Sequence, residues 1–330
     1  MADTAGGSAE HVVGDPFDLS GRLALVTGST RGIGAGIARA LAAAGATVIL
    51  HGRDAARVAA AATEMRCLPT RAGRPRIEGI AFDVTDHDTM RNSIRTLEAR
   101  LGGIDILVNN AGINHPADLV DLPLRAWDAV VGTNLTSCFV LAQQVAPGMI
   151  ERGRGKIINI CSVHNRLVRG RVGAYAAAKA GLGGLTQVMC ASWAGHGIQA
   201  NGLAPGFIAT EMTTRLRNDR DFDSWLRTRT PAGRWGTPAD LGGTAVWLAS
   251  SASDFVNGQL IFVDGGLTAV VRARKTAATR AWWFSAREPR DRPPTTESSR
   301  PPPGPGPGDA ATEPPSRTPR APPAAPRSRA

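Results

Sequence analysis

Short apolar segments of four to six residues alternate along this chain with longer segments of helical periodicity, and this alternation restricts the fold more than any other feature. The strand-like segments are Leu23–Thr27, Thr47–Leu50, Ile77–Phe82, Ile104–Asn109, Lys156–Cys161, Ile198–Leu203 and Leu260–Val263. Helical patterns occupy 33–44, 55–66, 87–101, 134–152, 174–194 and 238–249. Continuous apolar strands are buried on both faces, and right-handed crossovers join them. The order therefore predicts an α/β fold with a doubly wound, seven-stranded parallel sheet.

One long stretch, from Phe207 to Pro231, interrupts the alternation. A connection of this length is usually either a lid over a ligand or a disordered segment. Its apolar side chains Met212, Phe222 and Trp225 need something to cover, which favours the lid.

The composition changes at about residue 272. Residues 272–330 contain 14 of the 23 prolines, 12 of the 38 Lys and Arg and 5 of the 28 Asp and Glu, and apolar periodicity ends after Ala281-Trp282-Trp283-Phe284. Such a segment cannot bury enough apolar surface to offset its ordering entropy. We expect a folded domain at 17–271, a disordered tail at 272–330 and a flexible N-terminus at 1–16.

The basic charge of the chain belongs mainly to this tail, which carries +7 of the net +10. The domain itself is nearly balanced, so its charge does not indicate a nucleic-acid partner. The tail spreads its arginines among Pro and Gly without a ladder of aromatic residues, and nucleic-acid binding is not expected there either.

The cysteines and the N-terminus bear on the compartment. The four cysteines, at positions 67, 138, 161 and 190, show neither CxxC spacing nor a nearby histidine cluster, so we predict no disulfide framework and no metal site. The first 16 residues contain Asp3, Glu10 and Asp15 and no apolar run, unlike a signal peptide. No segment reaches the ~18 apolar residues of a membrane span. We expect a cytoplasmic protein without a membrane partner.

A glycine-rich turn follows the first predicted strand and opens the first helix. Glycines let the backbone approach a pyrophosphate, and the N–H groups of a helix start favour its negative charge. The sequence therefore predicts a dinucleotide-binding, Rossmann-type domain, with a turn that lacks a ligand as the alternative. The turn residues predicted to contact the cofactor are Gly28, Ser29, Thr30, Arg31, Gly32, Ile33 and Gly34.

The second predicted strand ends with Leu50-His51-Gly52-Arg53, where an NAD enzyme usually places a carboxylate on the ribose hydroxyls. That carboxylate is absent. Arg53 and Arg31 could instead form charge-assisted hydrogen bonds to a ribose 2′-phosphate. The pattern favours NADP(H) as the cofactor. The alternative is that Arg53 is a solvated surface residue and Asp54 caps the next helix.

Tyr175 and Lys179 are four residues apart in a strong helical pattern, which places the phenol and the ammonium on one face. A free phenol, with its ordinary pKa of ~10, is a poor base at neutral pH, and a neighbouring cation favours the phenolate. Tyr175 is the only tyrosine of the chain and follows Ser162, at the end of the fifth predicted strand, by 13 residues. This spacing predicts a site of proton transfer.

The T-G-x-x-x-G-I-G turn, the segment Asn109-Asn110-Ala111-Gly112 and the Tyr175–Lys179 pair together resemble the short-chain dehydrogenases/reductases over about residues 17–271. The resemblance implies hydride transfer between NADP(H) and a secondary alcohol or ketone. It also implies that Ser162 binds the substrate oxygen, Tyr175 exchanges its proton and Lys179 holds the nicotinamide ribose. Asn134 would position a water linked to Lys179, and a helix cap is its alternative role.

The resemblance further implies a set of cofactor contacts beyond the glycine turn. They lie after the third, fourth and sixth predicted strands and on the Tyr175 helix: Asp83, Val84, Asn110, Ala111, Gly112, Tyr175, Lys179, Pro205, Gly206, Ile208 and Thr210. Members of the family form homodimers or homotetramers, and the predicted helices at 134–152 and 174–194 would lie between subunits.

Within the family the chain is most similar to the gluconate 5-dehydrogenases, which act on sugar acids. The similarity is carried by Arg229-Thr230-Pro231-Ala232-Gly233-Arg234-Trp235-Gly236 and by Asp254-Phe255-Val256-Asn257-Gly258-Gln259. A polyol acid needs hydrogen-bond donors and a cation for its carboxylate, and the candidates are His164, Asn165, Arg166 and Arg169.

One departure keeps other substrates open. Gluconate 5-dehydrogenases generally read S-x-Q-S-E where this chain reads Ser162-Val163-His164-Asn165-Arg166, so a cation replaces a carboxylate. The enzymatic alternative is a reductase of another oxo compound such as a 3-oxoacyl chain. The alternative outside enzymes is a cofactor-sensing regulator, against which the complete Asn134, Ser162, Tyr175 and Lys179 set argues.

Overall fold

In the computed structural model, residues 15–68 and 74–271 are described, and seven of their segments are strands. The strands are β1 Leu23–Val26, β2 Thr47–Gly52, β3 Ile77–Ala81, β4 Ile106–Asn109, β5 Gly155–Ile160, β6 Ile198–Pro205 and β7 Leu260–Val263. All pair in parallel in the order β3-β2-β1-β4-β5-β6-β7, which confirms the predicted sheet. The predictions for the first 14 residues and for 272–330 lie outside the described residues.

Helices cover both faces of the sheet, as a doubly wound fold requires. They are α1 Gly32–Ala43, α2 Ala55–Arg66, α3 His87–Leu101, α4 Leu124–Val131, α5 Ser137–Glu151, α6 Gly173–Trp193, α7 Thr214–Asn218, α8 Arg220–Arg229 and α9 Gly242–Ala249. The last predicted helix, at 238–249, is α-helical only from Gly242, because Pro238–Leu241 forms a 3₁₀ turn.

Strand β1 shows how the two cores are built. Its four residues are all buried, and successive side chains point to opposite faces of a strand. Ala24 and Val26 pack in a core with α1, α2 and α9, whereas Leu23 and Leu25 pack in a second core with α3 and α5. Full burial of one such Leu or Val side chain is worth about 1.5–3 kcal/mol, so these two layers are the main source of stability.

The direction of winding reverses between β1 and β4. Strand β1 pairs with β2 on one side and with β4 on the other. The chain therefore extends the sheet from β1 first towards β3 and then, from β4 onwards, in the opposite direction. In open α/β sheets a crevice forms at the carboxyl ends of the strands at such a switch point. The glycine turn after β1 and the segment Asn109-Asn110 after β4 both open into it.

The predicted helix at 134–152 begins ten residues earlier than expected and contains an irregular turn. Pro123 precedes α4 directly, a common start signal because proline has no N–H to leave unpaired. Residues Gly132–Thr136 then form a π-helical turn that joins α4 to α5 without a break. The Thr133-Asn134 pair resembles a helix start in the sequence, but here it lies inside a helix.

The stretch from Phe207 to Pro231 is not a long irregular loop, because it contains α7 and α8. Asp219 caps α8 by accepting hydrogen bonds from the N–H groups of Asp221 and Phe222. Phe222 and Trp225 of α8 pack on Phe207, and ring centroids lie 5.2–6.5 Å apart in this aromatic group. Of the three side chains that indicated a lid, Phe222 and Trp225 thus anchor α8 to the segment after β6, whereas Met212 is exposed.

The continuous helical stretch Leu124–Glu151 contradicts the expectation that no segment has the length and composition of a membrane span. Its most apolar 18-residue window has a mean hydropathy of 1.2, and half of that window is buried inside the fold. The sequence reading missed it because it did not join α4 to α5. Such burial is typical of a core helix, and length and composition alone are weak evidence for a span.

Candidate active site

A cavity of about 1350 Å³ lies at the carboxyl ends of the strands, at the switch point of the sheet. One end is lined by Arg53 and Asp83, the other by Tyr175 and Lys179, and the glycine turn lies between them. The cavity thus brings together residues from the ends of β1, β2, β3 and β4 and from α6. Its volume exceeds the ~300–1,000 Å³ common for small-ligand pockets, as an extended ligand requires.

The glycine turn is held by the segment that follows β4. The hydroxyl oxygen of Thr27 accepts hydrogen bonds from the N–H groups of Asn110 and Ala111, both at 2.9 Å. Asn110 Nδ2 donates to the carbonyl oxygens of Thr27 and Gly28 at 2.8 and 3.0 Å. Asn110 therefore holds the turn in place through hydrogen bonds. Asn110, Ala111 and Gly112 also line the cavity.

His51 also holds the turn, a role that the sequence reading did not assign. The ring is 2% exposed, its Nδ1 accepts from the Gly28 N–H at 3.1 Å, and its Nε2 lies 3.0 Å from the Phe82 carbonyl oxygen. Burial is the main cause that lowers the pKa of His51 from 6.5 to about 4. The ring is therefore neutral at physiological pH.

Arg31 and Arg53 both line the cavity and are both exposed. Arg31 Nη1 lies 2.6 Å from Glu211 Oε2, and Arg53 Nη1 lies 3.8 Å from Asp83 Oδ2. Partial burial disfavours the Asp83 anion, but hydrogen bonds from Thr85 and the Arg53 cation outweigh it and lower the pKa of this carboxyl. Both guanidinium groups are placed where a phosphate could reach them.

The position before Arg53, where NAD enzymes place a carboxylate, is closely packed. A Cβ added at Gly52 would lie 3.0 Å from Thr30 Cγ2 and 3.1 Å from Val58 Cγ2, so a larger residue there would require these two side chains to shift slightly. Asp54 does not replace that carboxylate, because its Oδ1 accepts from the N–H groups of Ala56 and Arg57 and caps α2.

The remaining predicted cofactor residues are not all on the cavity wall. Val84 and Thr210 line the cavity. Ile208 is 4% exposed and its side chain packs in the core, so only its backbone is available to a ligand. Pro205 ends β6, and a Cβ added at Gly206 would lie 2.8 Å from Asp264 Cα, so this segment packs tightly against the end of β7.

Tyr175 and Lys179 lie on one face of α6, as predicted from their spacing. Lys179 is 3% exposed and its Nζ donates to the Ile160 carbonyl oxygen at 2.6 Å. The same Nζ lies 5.8 Å from the centroid of the Tyr175 ring. The ammonium is therefore fixed beside the phenol by the end of β5.

Ser162 is 7% exposed and caps the 3₁₀ turn Val163–Asn165, where its Oγ accepts from the His164 N–H at 3.2 Å. Asn165 completes a brace, because its Oδ1 accepts from the Ser162 N–H at 3.1 Å and its Nδ2 donates to the Lys179 carbonyl at 2.8 Å. This side chain was a candidate substrate ligand in the sequence. The structure instead uses it to tie the end of β5 to α6.

Asn134 is fully buried in the π-helical turn between α4 and α5. Its Oδ1 accepts from the Ile113 N–H and its Nδ2 donates to the Ile113 carbonyl, both at 2.8 Å. The alternative of a helix cap is therefore wrong, since Asn134 lies within a continuous helix and bonds to another segment. It ties the helix to the segment after β4, at the residue that follows Gly112.

The three candidate substrate residues lie in different surroundings. The His164 ring packs edge-on to Tyr175 with 5.8 Å between centroids, and its Nδ1 lies 2.7 Å from the Leu167 carbonyl oxygen, which requires a proton on Nδ1. Burial, assisted by the Arg169 cation, lowers the pKa of His164. The Arg166 guanidinium carbon lies 4.2 Å from the centroid of Phe262 in β7.

Neither Arg169 nor Arg166 has a carboxylate partner among the described residues, but Arg169 differs in having a buried donor. Its Nε is buried without a hydrogen-bond partner there, and partial burial lowers the pKa of its guanidinium. Neighbouring Arg171 has a left-handed φ of 66° and pairs with Asp118 at 2.8 Å, which anchors the segment that carries Arg169.

Metal and thiol chemistry find no support among residues 15–68 and 74–271. Within these ranges no group of three or more His, Cys, Asp or Glu is placed to hold a metal ion. Cys161 adjoins Ser162, but burial raises the pKa of its thiol to about 12, so it stays protonated and is a poor nucleophile.

Three features of the cavity suit a dinucleotide and an alcohol substrate. Gly28 has a left-handed φ of +61°, and the turn it begins leads the chain to the N-terminus of α1. Two arginines without a competing acid at position 52 suit a 2′-phosphate. A phenol and an ammonium at the other end suit proton exchange with a bound alcohol.

Comparison with known proteins agrees with this geometry. The family model described as Enoyl-(Acyl carrier protein) reductase matches residues 28–268. The chain is 48% identical over 254 residues to the gluconate 5-dehydrogenase of Gluconobacter oxydans, which covers 77% of this chain and 97% of that protein. It is 43% identical over 259 residues to the 2-dehydro-3-deoxy-D-gluconate 5-dehydrogenase of Formosa agariphila, which covers 78% of this chain and 96% of that protein.

The fold is also similar to a solved structure with ligands. The gluconate 5-dehydrogenase from Burkholderia cenocepacia J2315, in complex with NADP and tartrate, superposes with a TM-score of 0.73 at 50% sequence identity. The match covers 78% of this chain and 99% of that one. The fold and about half of the aligned residues are therefore shared with proteins named gluconate 5-dehydrogenase.

Proposed function

The chain belongs to the short-chain dehydrogenase/reductase family, and we propose that it interconverts D-gluconate and 5-dehydrogluconate with NADP(H). It is an oxidoreductase that acts on a secondary alcohol or its ketone. The observation that carries the choice of substrate is the 48% identity to a gluconate 5-dehydrogenase, over 97% of the length of that protein and 77% of this chain. A partly buried arginine near His164, without a carboxylate partner in the described chain, agrees with an anionic substrate.

The cofactor is NADP(H), which is named in complex with a relative of 50% identity. We assign its pyrophosphate to the turn Gly28–Gly34 and its 2′-phosphate to Arg31 and Arg53. Both arginines already contact carboxylates, so a phosphate would compete with Glu211 and Asp83 for charge-assisted hydrogen bonds. Asp83, Val84, Asn110, Ala111 and Gly112 would line the adenosine and ribose portions, and the backbone of 205–210 would reach the nicotinamide end.

When bound, NADP⁺ accepts the hydride from the carbinol carbon as the alcohol becomes a ketone. We assign the proton of that alcohol to the Tyr175 oxygen, with Ser162 Oγ donating a hydrogen bond to the substrate oxygen. The Lys179 ammonium beside the ring favours the phenolate that accepts the proton. In this proposal, Asn134 and Lys179 pass the proton to solvent through water, and Asn165 keeps Ser162 and Lys179 in register.

We assign the substrate carboxylate to Arg169 and one substrate hydroxyl to His164. The proton on Nδ1 of His164 is used by Leu167, which leaves Nε2 as an acceptor for a hydroxyl. Arg166 is a weaker candidate, because its guanidinium already stacks on Phe262. A cation for the carboxylate and a neutral acceptor for a hydroxyl are what a polyol acid needs.

Two further properties are proposed with this function. Phe139 on α5 and Val188 on α6 are exposed apolar side chains, which supports a homodimer or homotetramer formed through these helices. All four cysteines are free thiols, which supports a reducing compartment such as the cytoplasm.

The experiment that tests the proposal is a substrate panel assayed with NADP(H) and NAD(H). It should contain D-gluconate, 5-dehydrogluconate, 2-dehydro-3-deoxy-D-gluconate, neutral polyols and a 3-oxoacyl thioester. We expect the highest kcat/KM with gluconate or 5-dehydrogluconate and NADP(H). Preferred reduction of the thioester would establish the oxoacyl alternative instead. Cofactor binding without turnover of any compound would favour the cofactor-sensing regulator.

A further inference from the structure

His51 contacts the glycine turn and the end of β3 at the same time. Its Nδ1 accepts from the Gly28 N–H, and its Nε2 lies within hydrogen-bond distance of the Phe82 carbonyl oxygen. Because an N–H can only donate and a carbonyl can only accept, the ring must carry its single proton on Nε2. The two neighbours thus fix both the orientation and the tautomer of the imidazole.

The peptide groups of Gly28 are held on both sides. The N–H donates to His51 from β2, and the carbonyl oxygen accepts from Asn110 after β4. A Cβ added at Gly28 would lie 3.0 Å from Ala111 Cα, so the turn has little space to shift. The first residue of the turn that leads to α1 is therefore fixed from both sides.

A second set of bonds joins His51 to this turn through the backbone. The His51 N–H donates to Ser29 Oγ at 2.9 Å, and the Ser29 N–H donates to the His51 carbonyl at 2.9 Å. These two bonds would remain if the imidazole were replaced. A variant at position 51 therefore tests the ring and not the whole connection.

The other nitrogen reaches the adenosine side of the cavity. Phe82 directly precedes Asp83 and Val84, which line the cavity, and its ring lies 4.1 Å from the His51 ring between centroids. One imidazole therefore spans the gap between the turn after β1 and the segment after β3. No other described side chain is hydrogen-bonded to both Gly28 and Phe82.

We propose that His51 is a positioning residue for the cofactor. It is a neutral imidazole, protonated on Nε2, that sets the distance between the turn Gly28–Gly34, which would bind the pyrophosphate, and the segment Asp83-Val84, which would line the adenosine portion. The inference rests on the dinucleotide site proposed above, and it assigns a role to a side chain that acts through Gly28 and Phe82. It predicts that loss of the Nδ1 acceptor weakens NADPH binding while the chemical step stays intact.

Three substitutions separate the two bonds of the ring. His51→Asn places an oxygen near Nδ1 and keeps an acceptor for Gly28, whereas His51→Gln places an amide nitrogen near Nε2 and keeps only the Phe82 bond. His51→Phe keeps the ring volume and neither bond. An unpaired Gly28 N–H should weaken NADPH binding roughly 10- to 100-fold in the Phe and Gln variants, and the Asn variant should stay within about threefold of wild type.

The readouts are the NADPH dissociation constant, kcat at saturating NADPH and the melting temperature. We expect the dissociation constant to rise in the Phe and Gln variants with kcat within about threefold of wild type, since Tyr175 and Lys179 are untouched. NADPH binding by His51→Phe as tight as wild type would overturn the proposal. So would weakening in the Asn variant that is as large as or larger than in the Phe variant, because a histidine needed only for packing is replaced better by Phe, which keeps the ring volume.

Nitrogen-15 NMR of histidine-labelled wild-type protein tests the same idea without a variant that must fold well. The His51 signals, assigned with His51→Asn, should show a proton on Nε2 and none on Nδ1 at neutral pH. A proton on Nδ1 or a charged ring would overturn the inference. Failure of wild-type protein to bind NADPH would instead contradict the proposed function, so the two failures are distinguishable.

Discussion

Arg53 and Arg169 are two cations whose surroundings differ, and these surroundings suit different ligands. Arg53 lies at the end of β2 with Asp83 as its only ionic partner among the described residues, at 3.8 Å. Arg169 lies close enough to His164 to lower the pKa of that ring, and the described chain offers it no carboxylate. The first cation suits the cofactor phosphate and the second suits the substrate carboxylate. Each assignment makes a separate prediction.

Replacing Arg53 with Ala should weaken NADPH binding much more than NADH binding. The lost charge-assisted contact is worth about 1.5–3 kcal/mol, or roughly 10- to 100-fold in affinity, and NADH lacks the phosphate that makes it. Fluorescence titration of both nucleotides measures the two dissociation constants. Arg57→Ala is the control, since Arg57 also lines the cavity but pairs with Asp54. An equal loss for both nucleotides would remove Arg53 from the 2′-phosphate site.

Replacing Arg169 with Met should raise KM for gluconate about tenfold or more and leave kcat/KM for a neutral polyol nearly unchanged, because only the acid loses a charge-assisted bond. Arg166→Met is the matched control, since it removes an arginine of the same segment that stacks on Phe262. Steady-state kinetics with both substrates provide the measurement. A larger effect on KM in the Arg166 variant would transfer the carboxylate to that residue.

Predictability from sequence differed between residues that act through their own chemistry and residues that act through the backbone. Tyr175, Lys179 and the glycine turn were predicted because their residue types and spacing carry the signal. His51 and Asn165 were not given their roles, because their partners are backbone groups of Gly28, Phe82, Ser162 and Lys179. Gly28, Phe82 and the Lys179 carbonyl come within reach only when the sheet and α6 are assembled, so local sequence does not identify them, whereas the bond to Ser162 is local.

At the scale of elements, the strands were predictable and the shorter helices were not. Strands β1, β2, β4, β5 and β6 are mostly buried, and their apolar residues form distinctive runs in the sequence. Helices α7 and α8 span only five and ten residues and are rich in charge, so the sequence resembles a loop. Their stability comes from the aromatic contacts of Phe207, Phe222 and Trp225, which is tertiary packing rather than propensity.

Helices α5 and α6 lead to a prediction about assembly. Replacing Val188 with Glu puts a charge on the exposed face of α6, and a subunit interface there would have to bury that charge without a partner. We expect dissociation to a smaller species with the circular dichroism spectrum retained. Val120→Glu is the control, since Val120 is also an exposed valine but lies in the 3₁₀ turn Leu119–Asp121. Light scattering measures the mass, and an unchanged mass for Val188→Glu would place the interface elsewhere.

At the scale of the whole molecule, the cofactor site and the stability of the fold are coupled through His51. The site lies at the switch point of the sheet, where the ends of β1, β2 and β3 must meet. His51 joins all three, because its own strand is β2 and its ring bonds the segments after β1 and β3. Protonation of this buried ring should therefore destabilise the fold as well as the site.

The free energy of unfolding should fall as the pH is lowered from about 6.5 towards 4. Burial lowers the pKa of His51 to about 4, while the facing Asp83 carboxylate and Phe82 carbonyl oppose this only in part. The unfolded chain then binds its proton near pH 6.5 and the folded chain only near pH 4, a difference worth about 3 kcal/mol at most.

Urea unfolding at several pH values measures this loss. The non-titrating His51→Asn should lose less stability over the same range, and the exposed His196→Asn should behave like wild type. Parallel pH profiles for wild type and His51→Asn would show that His51 does not titrate as described.

The central claim is that Tyr175 exchanges the proton of a sugar acid oxidised with NADP⁺, and Tyr175→Phe tests it most directly. This variant keeps the ring beside Lys179 and His164 and removes only the hydroxyl. With D-gluconate and NADP⁺, kcat should fall about 100-fold or more, the typical contribution of a general acid/base, while the NADPH dissociation constant stays within about threefold of wild type. A variant that keeps more than about a tenth of the wild-type kcat would contradict the account.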